Sequence, residues 1–322
     1  MKILVTGCAG FIGYHLSDRL CKYKKYQVFG IDNMNDYYDV NLKKDRLKIL
    51  KKNKNFLFNK LCIKNSKKLE QNFRRNKYDV VINLAAQAGV RYSIQDPKSF
   101  MDTNISGFFN VLELSRMYNI KHLVYASTSS VYGSSNKFPL SEDEETSKPL
   151  SFYAATKKAN EVMAYSYSNI FKLPSTGLRF FTVYGPYGRP DMALFKFTKS
   201  INEGKKLDLY NHGNHERDFT YIDDIVDGII KTMLKKPKGK IPFSVYNIGS
   251  DKPRHLKAFL KIIEAFMGKK AKIKNKSMQI GDVFKTHADV KLITKSVGYK
   301  AKVGVKEGIE KFINWYKEYY KL

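Results

Sequence analysis

The sequence has no long apolar run and contains only three cysteines. No window approaches the ~20 apolar residues that a membrane-spanning helix needs, so a membrane partner is not expected. Cys8, Cys21 and Cys62 form neither a C-x-x-C pair nor a cluster with histidine. This pattern argues against a disulfide framework and against a metal site, and it predicts reduced thiols in a cytoplasmic protein.

Acidic residues are scarce: 30 Asp and Glu face 58 Lys and Arg, which gives a formal net charge of +28. A nucleic-acid-binding protein is one interpretation of this excess. However, the lysines are dispersed in short runs, and no aromatic-interleaved basic ribbon appears. We therefore favour solvated helix faces, expect no nucleic-acid partner, and expect a general field that attracts small anionic substrates.

The first half of the chain alternates short apolar runs with amphipathic, helix-length stretches. Strands are predicted at residues 3–6, 27–31, 56–58, 79–84, 122–127 and 175–180, and helices at 11–23, 41–52, 66–75, 98–118 and 152–171. This alternation predicts a doubly wound parallel sheet, the Rossmann fold. We expect it to span residues 1–180, with a smaller α/β substrate-binding domain at 181–322, some segments of which return to the sheet. In that second half a strand is predicted near 244–248 and helices near 194–203, 221–235, 256–267 and 305–320.

Residues 7–13 have the pattern G-x-x-G-x-x-G between the first predicted strand and the first predicted helix. Glycines let the backbone approach a pyrophosphate, and the helix N-terminus offers amide donors to it. Asp32 follows at the end of the second strand, where a carboxylate can bond the ribose hydroxyls of NAD and would repel the 2′-phosphate of NADP. The cofactor is therefore predicted to be NAD, bound at Gly7, Gly10, Phe11, Ile12, Gly13 and Asp32.

Tyr153 and Lys157 are spaced by four residues, which places a phenol and an ammonium on one face of a predicted helix. A nearby cation, together with the positive nicotinamide ring, lowers the pKa of a phenol so that it can act as a base. The strand that ends in Ser127, Thr128 and Ser129 offers hydroxyls that can hold a substrate oxygen against Tyr153. These features together predict a hydride-transfer site.

With these motifs the chain resembles extended short-chain dehydrogenases/reductases of the nucleotide-sugar epimerase and dehydratase group over essentially its whole length. More narrowly it is similar to UDP-glucuronate 4-epimerases. The resemblance is carried by residues 30–39, 84–93 and 179–193, and residues 217–225 match the broader group.

The resemblance implies that Tyr153 removes the proton of the sugar 4-hydroxyl while the hydride on carbon 4 passes to NAD⁺. The 4-keto sugar then turns and takes the hydride back on its other face, so NAD ends unchanged. Thr128 is expected to assist Tyr153, and Ser127 and Ser129 to contact the substrate. Residues implied to lie against the cofactor also include Asn33, Leu84, Ala85, Ala86 and Lys157.

A 4-keto uronate is a β-keto acid that decarboxylates readily, so an epimerase must fix the substrate carboxylate. The resemblance places Thr182 and Arg189 there, and the arginine fork suits a carboxylate better than lysine does. Related decarboxylases and 4,6-dehydratases carry an acid beside the catalytic threonine. This chain has Thr128-Ser129-Ser130 there, which argues against both reactions.

For the remainder of the substrate, the resemblance assigns Arg217 to the diphosphate and Arg91 to the sugar end, although a structural salt bridge is an equal alternative for Arg91. Gln279 stands where many relatives have a second diphosphate-binding arginine. The replacement contact is left open between groups such as Lys196 and Lys285.

Three alternatives remain beside the UDP-glucuronate 4-epimerase: a 4-epimerase of neutral UDP-hexoses, a decarboxylase that forms a UDP-pentose, and a catalytically silent nucleic-acid-binding protein on this fold. Relatives often pair two helices per subunit, so we expect a homodimer. Core packing is the equal alternative for the residues considered for that interface, which are Phe100, Phe108, Phe109, Met163 and Tyr167.

Overall fold

The computed structural model describes residues 1–322 and contains twelve strands and twelve α-helices. The strands are β1 (Lys2–Thr6), β2 (Gln27–Asp32), β3 (Phe56–Lys60), β4 (Val80–Asn83), β5 (His122–Thr128), β6 (Ser175–Phe180), β7 (Thr182–Tyr184), β8 (Lys206–Tyr210), β9 (Glu216–Tyr221), β10 (Phe243–Ile248), β11 (Pro253–His255) and β12 (Lys272–Lys276). The helices are α1 (Phe11–Cys21), α2 (Val40–Leu50), α3 (Ser66–Asn76), α4 (Tyr92–Gln95), α5 (Pro97–Phe100), α6 (Phe108–Met117), α7 (Phe152–Phe171), α8 (Ala193–Asn202), α9 (Ile222–Leu234), α10 (Leu256–Met267), α11 (Lys291–Val297) and α12 (Val305–Tyr320). None of these helices is both long enough and apolar enough to span a bilayer.

Seven strands form the central sheet in the order β10-β6-β5-β4-β1-β2-β3, and all of their pairings are parallel. Side chains alternate across each strand, so Ile3 and Val5 of β1 join the core on one face while Leu4 joins the core on the other. A sheet buried on both faces needs strands that are apolar at nearly every position. The predicted doubly wound parallel sheet is confirmed.

The predicted helix at 98–118 is interrupted. It consists of α5, a π-helical stretch at Met101–Gly107, and α6. Such wide turns are common at functional sites, and here Asn104 points inward: its amide oxygen accepts from Gln87 N (2.8 Å) and its amide nitrogen donates to Thr156 Oγ1 (3.0 Å). Apolar periodicity carries no signal for this change of hydrogen-bonding pattern.

The second half combines a return to the central sheet with two small sheets. β10 adds an edge strand beside β6, whereas β11-β9-β7 and β12-β8 form separate sheets. Sequence reasoning identified a strand near β10 and helices at α8, α9, α10 and α12, but it missed the short strands β7, β8, β9, β11 and β12.

The structure corrects two of the residues considered for a dimer interface. Phe100 is 0% exposed and Phe108 is 1% exposed, and the Phe108 ring packs against Tyr125 with their planes tilted by 59°. Both side chains therefore belong to the interior of the subunit.

Candidate functional site

One large cavity, of about 1040 Å³, opens at the carboxyl ends of the central strands. From β1 the chain runs outward to β2 and β3 and then returns to place β4 on the other side of β1. Loops that leave neighbouring strands in opposite directions leave a crevice at this switch point, where ligands of α/β proteins bind. The cavity continues to residues contributed by α8, β9 and the segment 280–286, so both halves of the chain line it.

At the cofactor end, the glycine turn forms a cradle that side chains would fill. Gly7 has a φ of +71°, and a Cβ added to Gly13 would lie 2.1 Å from the carbonyl oxygen of Gly7. Gly10 is the N-cap of α1 and brings no side chain to cover the amides there. Gly7, Gly10, Phe11, Ile12 and Gly13 all line the cavity. This geometry fits a pyrophosphate held by backbone N–H groups at a helix N-terminus.

Asp32 ends β2 beside this turn and is 8% exposed. Its Oδ2 accepts a hydrogen bond from Ala9 N (3.1 Å), and its Oδ1 accepts one from Met34 N (2.8 Å). Each carboxylate oxygen keeps a further lone pair for a ribose hydroxyl. The remaining predicted cofactor neighbours, which are Asn33, Leu84, Ala85, Ala86 and Lys157, also line the cavity.

The predicted catalytic residues meet in the middle of the cavity. Tyr153 and Lys157 lie on α7, and Thr128 ends β5, which α7 packs against. Lys157 donates from Nζ to the carbonyl oxygen of Ala126 (2.9 Å), and burial lowers the pKa of Lys157 to about 8. The lysine is therefore fixed on the strand that presents Thr128.

The pKa of the Tyr153 phenol differs from the lowered value that the sequence predicts. Burial raises the pKa of Tyr153 above its ordinary value and outweighs the Thr128 hydroxyl and the Arg189 charge, both of which lower it. Lys157 does not contribute a lowering in the protein alone. The lowered phenol pKa expected from the sequence therefore depends on the positive charge that the bound cofactor brings.

The two serines flanking Thr128 differ. Ser129 lines the cavity at the start of a short 3₁₀ turn. The hydroxyl of Ser127 instead donates to Glu161 Oε1 (2.6 Å), which also accepts from Arg179 Nε (2.9 Å). Ser127 lines the cavity as well, but its hydroxyl proton is already donated within a buried ion-pair network, and its contact with the substrate stays a prediction.

Arg189 reaches the cavity but is already paired. Its Nε donates to Asp191 Oδ1 (3.0 Å), its Nη2 lies on Asp191 Oδ2, and the Tyr37 hydroxyl donates to the same Oδ2 (3.3 Å). Although burial opposes the charged form of Arg189, Asp191 and other neighbouring groups raise its pKa, so the guanidinium stays charged. Thr182, the other residue predicted to hold a carboxylate, lines the same cavity.

At the far end of the cavity, Arg217 and Arg91 meet around Asp282. Arg217 Nη2 donates to Asp282 Oδ1 (2.7 Å), and Arg91 Nη2 is 3.9 Å from Asp282 Oδ2. His215 Nε2 is 3.7 Å from the same Oδ2 and has no hydrogen-bond partner, although the residue is only 3% exposed. This cluster offers two fixed cations and a free imidazole nitrogen to an anionic ligand.

The two lysines considered as substitutes for the arginine that relatives have at position 279 lie in different surroundings. Lys285 pairs with Glu216 Oε2 (3.0 Å) and does not line the cavity. Lys196 lines the cavity and is close enough to Arg91 and Asp191 for their charges to affect its pKa, which burial lowers. Of the two lysines, Lys196 is the one positioned to contact a ligand.

The loop that precedes Arg189 is held from the cofactor half of the molecule. Arg46 on α2 is 0% exposed and donates to Ala9 O in the glycine turn (2.8 Å) and to Tyr187 O (2.6 Å). His15 Nε2 on α1 lies 2.8 Å from Pro186 O. These contacts join the two ends of the cavity through backbone carbonyl groups.

Sequence reasoning missed several cavity residues: Tyr37, Lys43, Asp191, His215 and Asp282. Asp191 stands only two positions after Arg189, and this spacing was the available signal for their pairing. His215 stands two positions before Arg217, which is a comparable signal, whereas no local signal joins Tyr37 to the site, because its partner Asp191 is 154 residues away.

Comparison with known proteins identifies the family of the chain. Residues 3–249 match the NAD dependent epimerase/dehydratase family. The chain is 50% identical to Protein CapI of Staphylococcus aureus, with all of both chains covered, and 41% identical to the probable UDP-glucuronate 4-epimerase of Rhizobium meliloti, with 100% and 98% covered. The crystal structure of the UDP-glucuronic acid 4-epimerase of Bacillus cereus, in complex with UDP-glucuronic acid and NAD, is similar with a TM-score of 0.93 at 35% identity, covering 99% of this chain and 100% of that one.

Proposed function

Because the chain belongs to the NAD-dependent epimerase/dehydratase family, we propose that it is a 4-epimerase that interconverts UDP-glucuronate and UDP-galacturonate. One observation carries the choice of substrate: Arg189 lines the same cavity as Tyr153, and its charge is near enough to lower the pKa of that phenol. A cation in the cavity that holds the predicted base can receive a carboxylate on the sugar whose 4-hydroxyl reaches Tyr153. The relatives named UDP-glucuronate 4-epimerases support the same choice.

In this proposal the cofactor is held by the glycine cradle and by Asp32 on its ribose. Bound NAD supplies a hydride acceptor that returns the hydride later in the same turnover. Tyr153 takes the proton of the sugar 4-hydroxyl and gives it back, and Thr128 holds that hydroxyl in place. Lys157, anchored on Ala126 O one helical turn from Tyr153, helps to position the base.

The remaining predicted substrate contacts are assigned to different anionic groups of the substrate. We propose that Thr182 and Arg189 hold the carboxylate, that Arg217 holds the diphosphate, and that Arg91 and Lys196 complete the anionic end. Fixing the carboxylate keeps the 4-keto sugar from reaching the geometry in which it loses CO₂. Ser129 is the hydroxyl that remains available beside Thr128.

A 4-epimerase of neutral UDP-hexoses is the second candidate, and the Arg189–Asp191 pair favours it, because Asp191 already neutralises the cation. Real-time NMR of the purified protein with UDP-glucuronate, and separately with UDP-glucose, distinguishes the two. We expect UDP-galacturonate to form without net NADH and without CO₂. Epimerisation of UDP-glucose alone would favour the neutral-sugar enzyme, and release of CO₂ would favour a decarboxylase.

We further propose that the protein works as a cytoplasmic homodimer, paired through α6 and α7. The exposed apolar side chains Phe109, Val162 and Ile170 support this interface. The Tyr167 hydroxyl donates to Glu113 Oε2 (2.9 Å), which holds the two helices together in one subunit. Light scattering should give a dimer mass, and Val162→Glu should shift it to the monomer without loss of helical circular dichroism.

The division into a cofactor-binding unit at residues 1–180 and a sugar-nucleotide-binding unit at 181–322 is also retained as a proposal. The cavity lies between these two segments, which is where a substrate must lie to reach both cofactor and sugar contacts. β10 belongs to the second segment by sequence but extends the central sheet. Limited proteolysis with and without UDP should show whether residues after 180 are protected as one unit.

A further inference from the structure

Asp191 binds Arg189 through the same two guanidinium nitrogens that a bound carboxylate would use. Arg189 Nε and Nη2 face the two oxygens of Asp191, and Tyr37 donates to one of those oxygens as well. Both members of the pair line the cavity, with side chains 23% and 28% exposed. A two-point arginine–carboxylate pair is geometrically the same contact that a uronate would make.

We propose that Asp191 competes with the substrate's carboxylate for Arg189, so that the enzyme can hold and release the sugar within one turnover. The inference rests on the proposed function. It adds an internal carboxylate that exchanges places with the carboxylate of the sugar, and it makes Asp191 a positioning residue that acts through Arg189.

The need for exchange follows from the reaction. Epimerisation requires the 4-keto sugar to present its opposite face, so a carboxylate attached to that sugar must leave Arg189 while the sugar turns. Before and after the turn, Thr182 and Arg189 hold it against loss of CO₂. An arginine that loses its only partner in a buried site is left with an uncompensated charge, which is strongly unfavourable. Asp191 removes that penalty, because it is two residues away in the chain and is always within reach of Arg189.

Tyr37 supports the same exchange from the other side. Burial and the nearby Asp191 charge raise the pKa of Tyr37 to about 12, so the phenol keeps its proton and remains a hydrogen-bond donor. When Arg189 turns to the sugar, Asp191 still has the Tyr37 hydroxyl as a partner. Neither the arginine nor the aspartate is therefore left unpaired in either arrangement.

A purely orienting role for Asp191 makes the opposite prediction. If Asp191 only fixed the direction of Arg189, its removal would loosen the arginine and weaken binding of a uronate. If the two carboxylates compete, removal of Asp191 strengthens that binding and slows the release step. The sign of the affinity change therefore decides between the two roles.

The experiment compares the NAD-loaded wild type with Asp191→Asn, which keeps the shape of the side chain and removes its charge. Calorimetry gives Kd for UDP-glucuronate and UDP-glucose, and NMR gives kcat. We expect a Kd for UDP-glucuronate that is roughly three- to tenfold lower, as for loss of one competing ion pair. We also expect a kcat that is reduced by a similar factor and an unchanged Kd for UDP-glucose. Asp191→Glu should restore a kcat close to that of the wild type.

Asp223→Asn is the matched control, because Asp223 pairs with Arg19 (2.9 Å) outside the cavity and its loss should change neither constant. Unchanged or weaker binding of UDP-glucuronate by a folded Asp191→Asn protein would overturn the competition. Failure of the proposed function would appear differently, as a wild type that binds and converts UDP-glucose but not UDP-glucuronate. Thermal melting of each variant establishes that it is folded.

Discussion

The two ends of the cavity are built in different ways. At the cofactor end, the shape of the backbone forms the site: seven consecutive residues at 7–13 and one acid, Asp32, make up the cradle. At the sugar end, charge pairs form the site: Arg189 pairs with Asp191, two residues away, whereas Arg217 pairs with Asp282, 65 residues away. The contiguous backbone motif leaves no room for an added side chain, whereas the charge network depends on partners that the fold brings together.

Tyr153 stands where the two ends meet, and its loss should have the largest effect. Tyr153→Phe removes the only hydroxyl placed as the base, so we expect kcat to fall by about 10³-fold or more. Affinity for NAD and for UDP-sugars should remain, because neither ligand depends on that proton. Steady-state NMR assays and calorimetry check both parts, and more than a tenth of wild-type activity would contradict the assignment.

A comparison of these residues shows what sequence could predict. Gly7, Gly10, Gly13 and Asp32 were identified because their chemistry depends on local spacing, and Tyr153 with Lys157 because a helix fixes their separation. The Arg189–Asp191 pairing was not predicted, although both residues lie in one short motif, because a sequence does not show which partner an arginine chooses.

Partners that are distant in sequence also explain what could not be predicted for Ser127. Its hydroxyl donates to Glu161, whose partner Arg179 lies on the neighbouring strand β6. In the fold, the apolar core was predictable from the alternation of apolar and polar residues. The strands β8 and β12 pair only with each other: β12 has a single apolar residue, Ile273, and β8 alternates with Leu207 and Leu209 buried but over only five residues.

A single added methyl group should disrupt the cofactor end of the cavity. In Gly13→Ala, the new Cβ would lie 2.1 Å from the Gly7 carbonyl oxygen, and this backbone atom cannot move without distorting the turn. We expect a loss of about 3 kcal/mol in the free energy of unfolding, or a distorted turn, and loss of NAD binding. Gly304→Ala is the control, because no atom lies within 4 Å of its added Cβ. Urea unfolding and NAD titration measure both, and equal behaviour of the two variants would refute the cradle.

Lys157 lies between the two ends, and burial of its charge should lower the free energy of unfolding by an amount that depends on pH. The difference between its pKa of about 8 and the ordinary 10.5 corresponds to about 3 kcal/mol of unfavourable burial of charge. The penalty is complete below pH 8. It declines as pH rises to 10.5, because the unfolded state then holds more protons than the native state.

NAD-free Lys157→Met should therefore be more stable than the wild type at pH 7, by about 2 kcal/mol after loss of the bond to Ala126 O. That advantage should shrink steadily between pH 8 and pH 10.5. Urea unfolding at several pH values checks this expectation, and an advantage that grows with pH would show that the sign is wrong.

Arg46 links the two ends, so its replacement tests whether they are coupled. Arg46→Lys keeps the charge but cannot reach Ala9 O and Tyr187 O at once. We expect about 1–2 kcal/mol of lost stability and weaker binding of both NAD and UDP-sugar. An effect on NAD alone, measured by calorimetry, would show that the two ends act independently.

The most direct test of the account is the selectivity of Arg189→Met. The ratio of kcat/KM for UDP-glucuronate to that for UDP-glucose is measured in the wild type and in the variant, together with the Kd for NAD. The account predicts that the wild type favours UDP-glucuronate, that the variant loses this preference by about 100-fold, and that affinity for NAD is unchanged. An unchanged ratio would contradict the claim that a charge network at the sugar end selects the substrate.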